Sequence, residues 1–155
     1  MPNEIWNKIF SQKEWGRYPP EKLIIFVAEN FYHLKRSEIN ILEIGCGPGA
    51  NIWYLSREGF ISHGIDISSV AINKAKKRLE GDKLAASLKI GDVSKLPYEN
   101  GFFDGVIDNA CLYNNNKKKT REILEEVERV LKPGGLFYSQ TFSDDTYKGK
   151  NFIQL

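Results

Sequence analysis

Apolar residues recur along this chain at two alternating spacings. Over residues 3–14, Ile5, Trp6, Ile9 and Phe10 share one face of a predicted helix. Trp15-Gly16-Arg17-Tyr18-Pro19-Pro20 breaks it, and the prolines open the next helix, where their fixed φ is preorganised. Leu23, Ile24, Val27, Phe31 and Leu34 then return at helical spacing. Residues 39–44 are rich in isoleucine and followed by glycines, which predicts a buried strand. A short helix over 52–57 and a second strand over 60–65 follow. Ser68 is the expected N-cap of a helix that buries Ala71, Ile72, Ala75 and Leu79 and ends at Gly81. Residues 88–90 predict a third strand and 103–108 a fourth. Ile123, Leu124, Val127, Val130 and Leu131 make the apolar stripe of a helix over 120–131, with Glu125 and Arg129 expected to pair on its wet face. Lys132-Pro133-Gly134-Gly135 stops that helix, and 136–142 reads as a fifth strand. Strands alternating with helices predict an α/β fold, a parallel sheet with helices on both faces.

Composition narrows the function. A length of 155 residues suits a single domain over 1–155 with a sizeable core. With 41% apolar and 27% charged residues, the chain is neither disordered nor fibrous. Its 22 basic and 20 acidic residues leave +2, no electrostatic footprint for nucleic acid or an acidic membrane. No apolar run reaches the length of a membrane span. The start, Met1-Pro2-Asn3-Glu4, lacks the basic and then apolar order of a secretory signal. Cys46 and Cys111 are too few for a disulfide framework and lack metal-ligand spacing, so a reduced cytoplasmic protein without a metal site is expected.

Parallel sheets bind ligands beyond the carboxyl ends of their strands. Three predicted strand ends carry suitable residues. Glu43-Ile44-Gly45-Cys46-Gly47-Pro48-Gly49 alternates glycines, so a ligand meets backbone without a Cβ. Gly64-Ile65-Asp66-Ile67 places a carboxylate where it accepts the hydroxyl hydrogens of a ribose. Gly91-Asp92-Val93 offers a second acid, suited to an adenine amino group. Each loop alone is a weak signal; three in order, each at a strand end, point to a nucleotide-like ligand.

These stretches resemble the class I S-adenosylmethionine-dependent methyltransferases, small-molecule type. Residues 41–49 are similar to the family's first cofactor motif, and Gly64-Ile65-Asp66-Ile67-Ser68 to its ribose motif. Gly91-Asp92-Val93, with Leu96-Pro97-Tyr98 and Phe102-Phe103-Asp104, resembles the adenine loop and the start of strand four. Residues 127–135 are similar to the entry into strand five. The resemblance covers residues 20 to 143 and implies a Rossmann-like sheet in the order 3-2-1-4-5. It implies that Glu43, Gly45 and Gly47 line the methionine part of S-adenosylmethionine, with Cys46 and Gly49 also cofactor-binding. Asp66 is then the ribose acceptor, Ile67 packs on the adenine, Asp92 and Val93 read its edge, and Asn109 contacts the methionine end. Tyr113 and Asn114 fall where members place substrate-facing side chains, and Tyr18 where it covers the cofactor. S-adenosylhomocysteine is the implied product and a small molecule the implied substrate; no catalytic residue is assigned.

The rival is a nicotinamide dehydrogenase, whose G-x-G-x-x-G fingerprint differs from Gly45, Gly47 and Gly49 here. His33 and His63 read as structural or solvated, and the cysteines as small buried thiols. Lys117-Lys118-Lys119 reads as a solvated face, although its place at a helix start opposes the dipole and draws interest as a site for an anionic substrate. Only 13 residues follow Phe142, too few for the family's last helix and strand pair, so a shortened chain is expected. The alternative function is then a non-catalytic cofactor-binding module, or a subunit completed by a partner. A bare fifth strand also predicts a homodimer through residues 136–142 and a tail carrying Phe152, Ile153 and Leu155.

Overall fold

The computed structural model describes residues 2–141. One sheet of five parallel strands runs in the order β3-β2-β1-β4-β5. The strands are β1 (Asn40–Ile44), β2 (Ile61–Asp66), β3 (Ser87–Ile90), β4 (Phe103–Asn109) and β5 (Leu131–Gln140). The helices are α1 (Pro2–Gln12), α2 (Glu21–Phe31), α3 (Ala50–Arg57), α4 (Ser69–Gly81) and α5 (Lys117–Val130). Single 3-10 turns at Arg36–Glu38 and Leu112–Asn114 were not evident from periodicity.

Strand alternation divides the core. Leu42, Ile44 and Val106 point to one face, where Ile123, Val127 and Val130 of α5 cover them. Ile41 and Ile107 point to the other, against Leu23, Val27 and Phe31 of α2 and Leu55 of α3. Ile72 and Leu79 of α4 close the same layer with Ile52. Ser68 caps α4 as expected, its Oγ accepting from Ala71 N at 3.1 Å.

α4 ends at Gly81 as expected, and the left-handed residue beyond it is Lys83, at φ 56°. Other local expectations failed where distant partners decide. Lys132–Gly135 is no separate turn: β5 begins at Leu131, already beside Phe103, and the segment bulges before Leu136 meets Gly105. The bulge turns at Gly134, φ 77°. The end of the expected fifth strand at Phe142, and the tail with Phe152, Ile153 and Leu155, lie outside the described residues.

Arg129 takes Glu126 as its partner in place of Glu125, with Nε and Nη2 donating at 2.7 and 2.8 Å. The same guanidinium donates to the carbonyls of Leu96 at 2.9 Å and Tyr98 at 2.8 Å, pinning the loop after β3 to α5. Arg129→Ala frees both carbonyls. It is expected to destabilise the fold by about 1–3 kcal/mol in urea unfolding, with Arg129→Lys between it and wild type.

Candidate functional site

The carboxyl ends of β1, β2 and β4, with the loop after β3, open into a cavity of about 580 Å³. Its floor is the loop after β1. Gly45 and Gly47 take left-handed φ values of 64° and 52°, which curls the backbone under the cavity. A Cβ on Gly45 would lie 2.6 Å from Cβ and Sγ of Cys111, so this glycine lets the loops after β1 and β4 touch.

Glu43 is buried at the end of β1, 3% exposed, and its Oε1 accepts from Asn51 Nδ2 at 2.6 Å. Its Oε2 and Asn51 Oδ1 are buried without a donor, although both residues line the cavity. Burial pushes the Glu43 carboxyl well above the usual range; the Asn51 bond opposes this, and the charges of Asp66 and Asp108 add to it.

Asp66 ends β2. Its Oδ2 accepts from Gly47 N and its Oδ1 from Ser68 N, both at 2.8 Å, so it ties the glycine loop to the start of α4. Burial raises its pKa against the pull of those two bonds. A carboxylate has about four lone-pair sites, which leaves about two for a ligand.

Asp92 follows β3. Its Oδ1 accepts from the Ser94 N–H and hydroxyl, both at 2.9 Å, and its Oδ2 from Lys119 Nζ at 2.6 Å. Burial favours the neutral acid, but the Lys119 and Ser94 bonds outweigh it and hold Asp92 below the usual carboxylate range. The lysine run is therefore divided: Lys117 and Lys118 are exposed, while Lys119 is an inward partner of Asp92.

Buried Asp108 organises the fourth wall. Its Oδ1 accepts from Cys111 N at 2.8 Å and Leu112 N at 3.1 Å, and its Oδ2 accepts from Ser139 Oγ at 2.6 Å. The backbone between is strained at Ala110, φ 66°, a costly value for a residue with a Cβ. Asn114 Nδ2 donates to the Ala110 carbonyl at 2.7 Å.

The roof comes from α1 and the segment after it. Asn7 Oδ1 accepts from Ser68 Oγ at 2.7 Å and Val70 N at 3.3 Å, fastening α1 to the first turn of α4. Phe10 then lies over Gly47, and Trp15 packs against Phe10 at a tilt of 48°, centroids 5.2 Å apart. Tyr18 packs edge-on against Trp53 at 5.8 Å.

The cavity brings together Glu43, Gly45, Cys46, Gly47, Asp66, Ile67, Asp92, Val93, Asn109, Tyr18, Tyr113 and Asn114. Gly49 does not line it. At φ 83°, a Cβ there would lie 2.8 Å from that of Ala75, so its smallness lets α3 start against α4. Sequence reasoning passed over Asn51, Asp108 and the inward facing of Trp6, Phe10 and Trp15. A polar residue opening the helix after the glycine loop, and an acid ending β4, were the available signals. Neither histidine takes part. His33 is exposed, and His63 Nε2 shares a 3.1 Å hydrogen bond with Asn40 Oδ1 among aromatic rings, its pKa lowered by burial and by Lys89. Both cysteines are free, and burial raises both thiols. Among the described residues, no group of metal-ligating side chains gathers, and no helix is long and apolar enough to cross a membrane.

Comparison with known proteins agrees with this layout. A family described as "Methyltransferase domain" matches residues 41–135. A malonyl-[acyl-carrier protein] O-methyltransferase from Priestia megaterium is 33% identical over 129 residues, 82% of this chain and 44% of that protein. A demethylmenaquinone methyltransferase from Symbiobacterium thermophilum is 28% identical over 140 residues, 86% of this chain and 52% of that protein. Among solved structures, the PH0226 protein of Pyrococcus horikoshii aligns with TM-score 0.69 and 31% identity, over 76% of this chain and 50% of that one. A SAM-dependent methyltransferase from Methanosarcina mazei aligns with TM-score 0.66 and 29% identity, over 78% and 57%. The chain thus spans about half the length of these proteins. Strand order, glycine loop and sequence likeness converge, and the chain belongs to the class I S-adenosylmethionine-dependent methyltransferase family.

Proposed function

We propose that this chain binds S-adenosylmethionine and moves its methyl group to an O, N or C atom of a small molecule. The observation that carries the reading is the pair of buried acceptors without donors, Glu43 Oε2 and Asn51 Oδ1, beside the glycine loop. Buried acceptors call for a donor, and the ammonium of a methionine moiety is one of the right charge.

When bound, S-adenosylmethionine supplies a methyl group activated by its sulfonium. The chain supplies binding and orientation. Glu43 and Asn51 hold the amino group above the backbone of Gly45, Cys46 and Gly47. Asp66 accepts from the ribose with its remaining lone pairs. Ile67 and Val93 enclose the adenine, and Asp92 takes its amino group. Asn109 stands at the end of β4, where methionine end and acceptor meet. The roof from α1 excludes water. No histidine lines the cavity among the described residues, so positioning takes the place of a histidine base.

Calorimetry tests the reading. S-adenosylmethionine and S-adenosylhomocysteine should bind and NAD should not; NAD binding without a response to S-adenosylmethionine refutes it. Turnover with any acceptor separates the enzyme from a binding module. The raised Glu43 and Asp66 carboxyls add a pH signature. An ammonium and ribose hydroxyls favour the ionised forms, so binding releases protons, and affinity should rise as pH climbs above the usual carboxylate range. Titrations in buffers of different ionisation heat measure the release, and Glu43→Gln should reduce it.

Two further points belong to the same proposal. The free thiols suit a reducing, cytoplasmic setting. Pairing of two copies along β5, which has β4 on one side only among the described residues, predicts a dimer in light scattering; a monomer at micromolar concentration excludes it.

A further inference from the structure

One side of the cavity is aromatic. Trp6, Phe10 and Trp15 form its roof, with Phe10 over the glycine loop, and Tyr18 and Tyr113 are also on the wall. Trp15 and Tyr18 keep 45% and 72% of their surface exposed, a large cost for aromatic residues that serve only the core.

Charge decides what this wall receives. Lys119 is the one cation among the described residues that line the cavity, and it is committed. Its Nζ donates to Asp92 Oδ2 and to Ser94 Oγ, both at 2.6 Å. An acceptor bearing a carboxylate or phosphate would meet no uncommitted cation among the described residues of the lining, beside Glu43, Asp66 and Asp92; Arg78, 6.0 Å over the Tyr18 ring, is not part of it. A protonated amine fares no better: it has no lone pair to attack with, and it faces the sulfonium as a like charge.

The neutral polar side chains of the same lining add to this. The side chains of Asn114 and Asn115 are spent on the carbonyls of Ala110 and Cys111, at 2.7 and 2.9 Å. The Asn109 amide lines the cavity and has no partner among the described residues, so it offers both a neutral donor and a neutral acceptor.

We propose that the methyl acceptor is an uncharged, ring-bearing molecule that packs its ring among Trp6, Phe10 and Trp15 and seats its polar atom on the Asn109 amide. This rests on the methyltransferase reading above and names the acceptor class for that site. Aromatic rings pack offset or edge-on against one another because of their quadrupoles, and a single neutral anchor fixes orientation without demanding a charge.

The test uses the full chain with calorimetry, first for S-adenosylhomocysteine, then with that complex and three probes of one ring system: 1-naphthol, 1-naphthoate and 1-naphthylmethylammonium. 1-Naphthol should bind, and 1-naphthoate at least about tenfold more weakly, the scale set by an uncompensated charge at an apolar wall. 1-Naphthylmethylammonium should bind the S-adenosylmethionine complex more weakly than the S-adenosylhomocysteine complex, since only the former carries the sulfonium. Trp15→Ala should weaken 1-naphthol by up to about tenfold, and by more than it weakens S-adenosylhomocysteine. Naphthoate binding as tightly as naphthol overturns the inference, as does an ammonium probe indifferent to the sulfonium, a complex that does not bind naphthol, or a Trp15→Ala chain that binds naphthol as wild type. If S-adenosylhomocysteine itself does not bind, the methyltransferase reading fails and this inference with it.

Discussion

Asp66→Ala is expected to weaken S-adenosylhomocysteine binding by at least about tenfold, because charge-assisted bonds from ribose hydroxyls are each worth roughly 1.5–3 kcal/mol. The structure enlarges that expectation. The same carboxylate receives Gly47 N and Ser68 N, so its loss also leaves two buried donors unpaired and should lower the stability of the ligand-free chain by about 1–3 kcal/mol. Asparagine is not a mild replacement here. Sequence alone favours it, since an amide oxygen still accepts one ribose bond. In the structure its NH₂ must face either the Gly47 or the Ser68 N–H, donor against donor. Asp66→Asn should therefore fall close to Asp66→Ala in thermal melts without ligand. An asparagine variant that melts and binds as wild type would show that one carboxylate oxygen is dispensable.

Gly45→Ala is expected to have the second large effect. The left-handed backbone costs an alanine roughly 1–2 kcal/mol, and forcing a Cβ to within 2.6 Å of the Cys111 side chain adds overpacking of roughly 1–3 kcal/mol. Together the loss in urea unfolding should reach about 2–5 kcal/mol, with cofactor binding lost as the loops after β1 and β4 separate. The two parts can be told apart. Adding Cys111→Gly to Gly45→Ala removes the overlap and leaves the φ strain, so stability should recover in part and not fully. Full recovery would mean that the backbone conformation carries no cost.

Much of the site was legible because its signals are local. Alternating glycines announce a backbone that must turn and stay bare, and Asp66 and Asp92 each end or follow a strand that periodicity marks. The rest depends on partners far along the chain. Asp108 matters through Ser139, and Asn51 through Glu43, pairings that no spacing encodes. Gly49 belongs to the same glycine pattern as Gly45, yet its neighbour is Ala75 on another helix and its task is packing. The fold shows the same division. Helix faces and strand cores followed from apolar spacing, whereas Pro133 and Gly134 read locally as a turn and became a bulge because Leu131 is held beside Phe103.

The strand order has a consequence for how the molecule is made. β1 sits in the middle of the sheet, but its second neighbour comes late: Gly105, which pairs with Ile41, follows it by 64 residues. During synthesis, β1, β2 and β3 can associate first, leaving one long side of β1 with its N–H and C=O groups open and Ile41, Leu42 and Ile44 half covered. That side closes only when β4 leaves the ribosome and slides in, after which β5 follows. The central strand is thus for a time an edge strand, the state in which unfinished chains stick to one another, and closing so wide a loop slows its escape from that state.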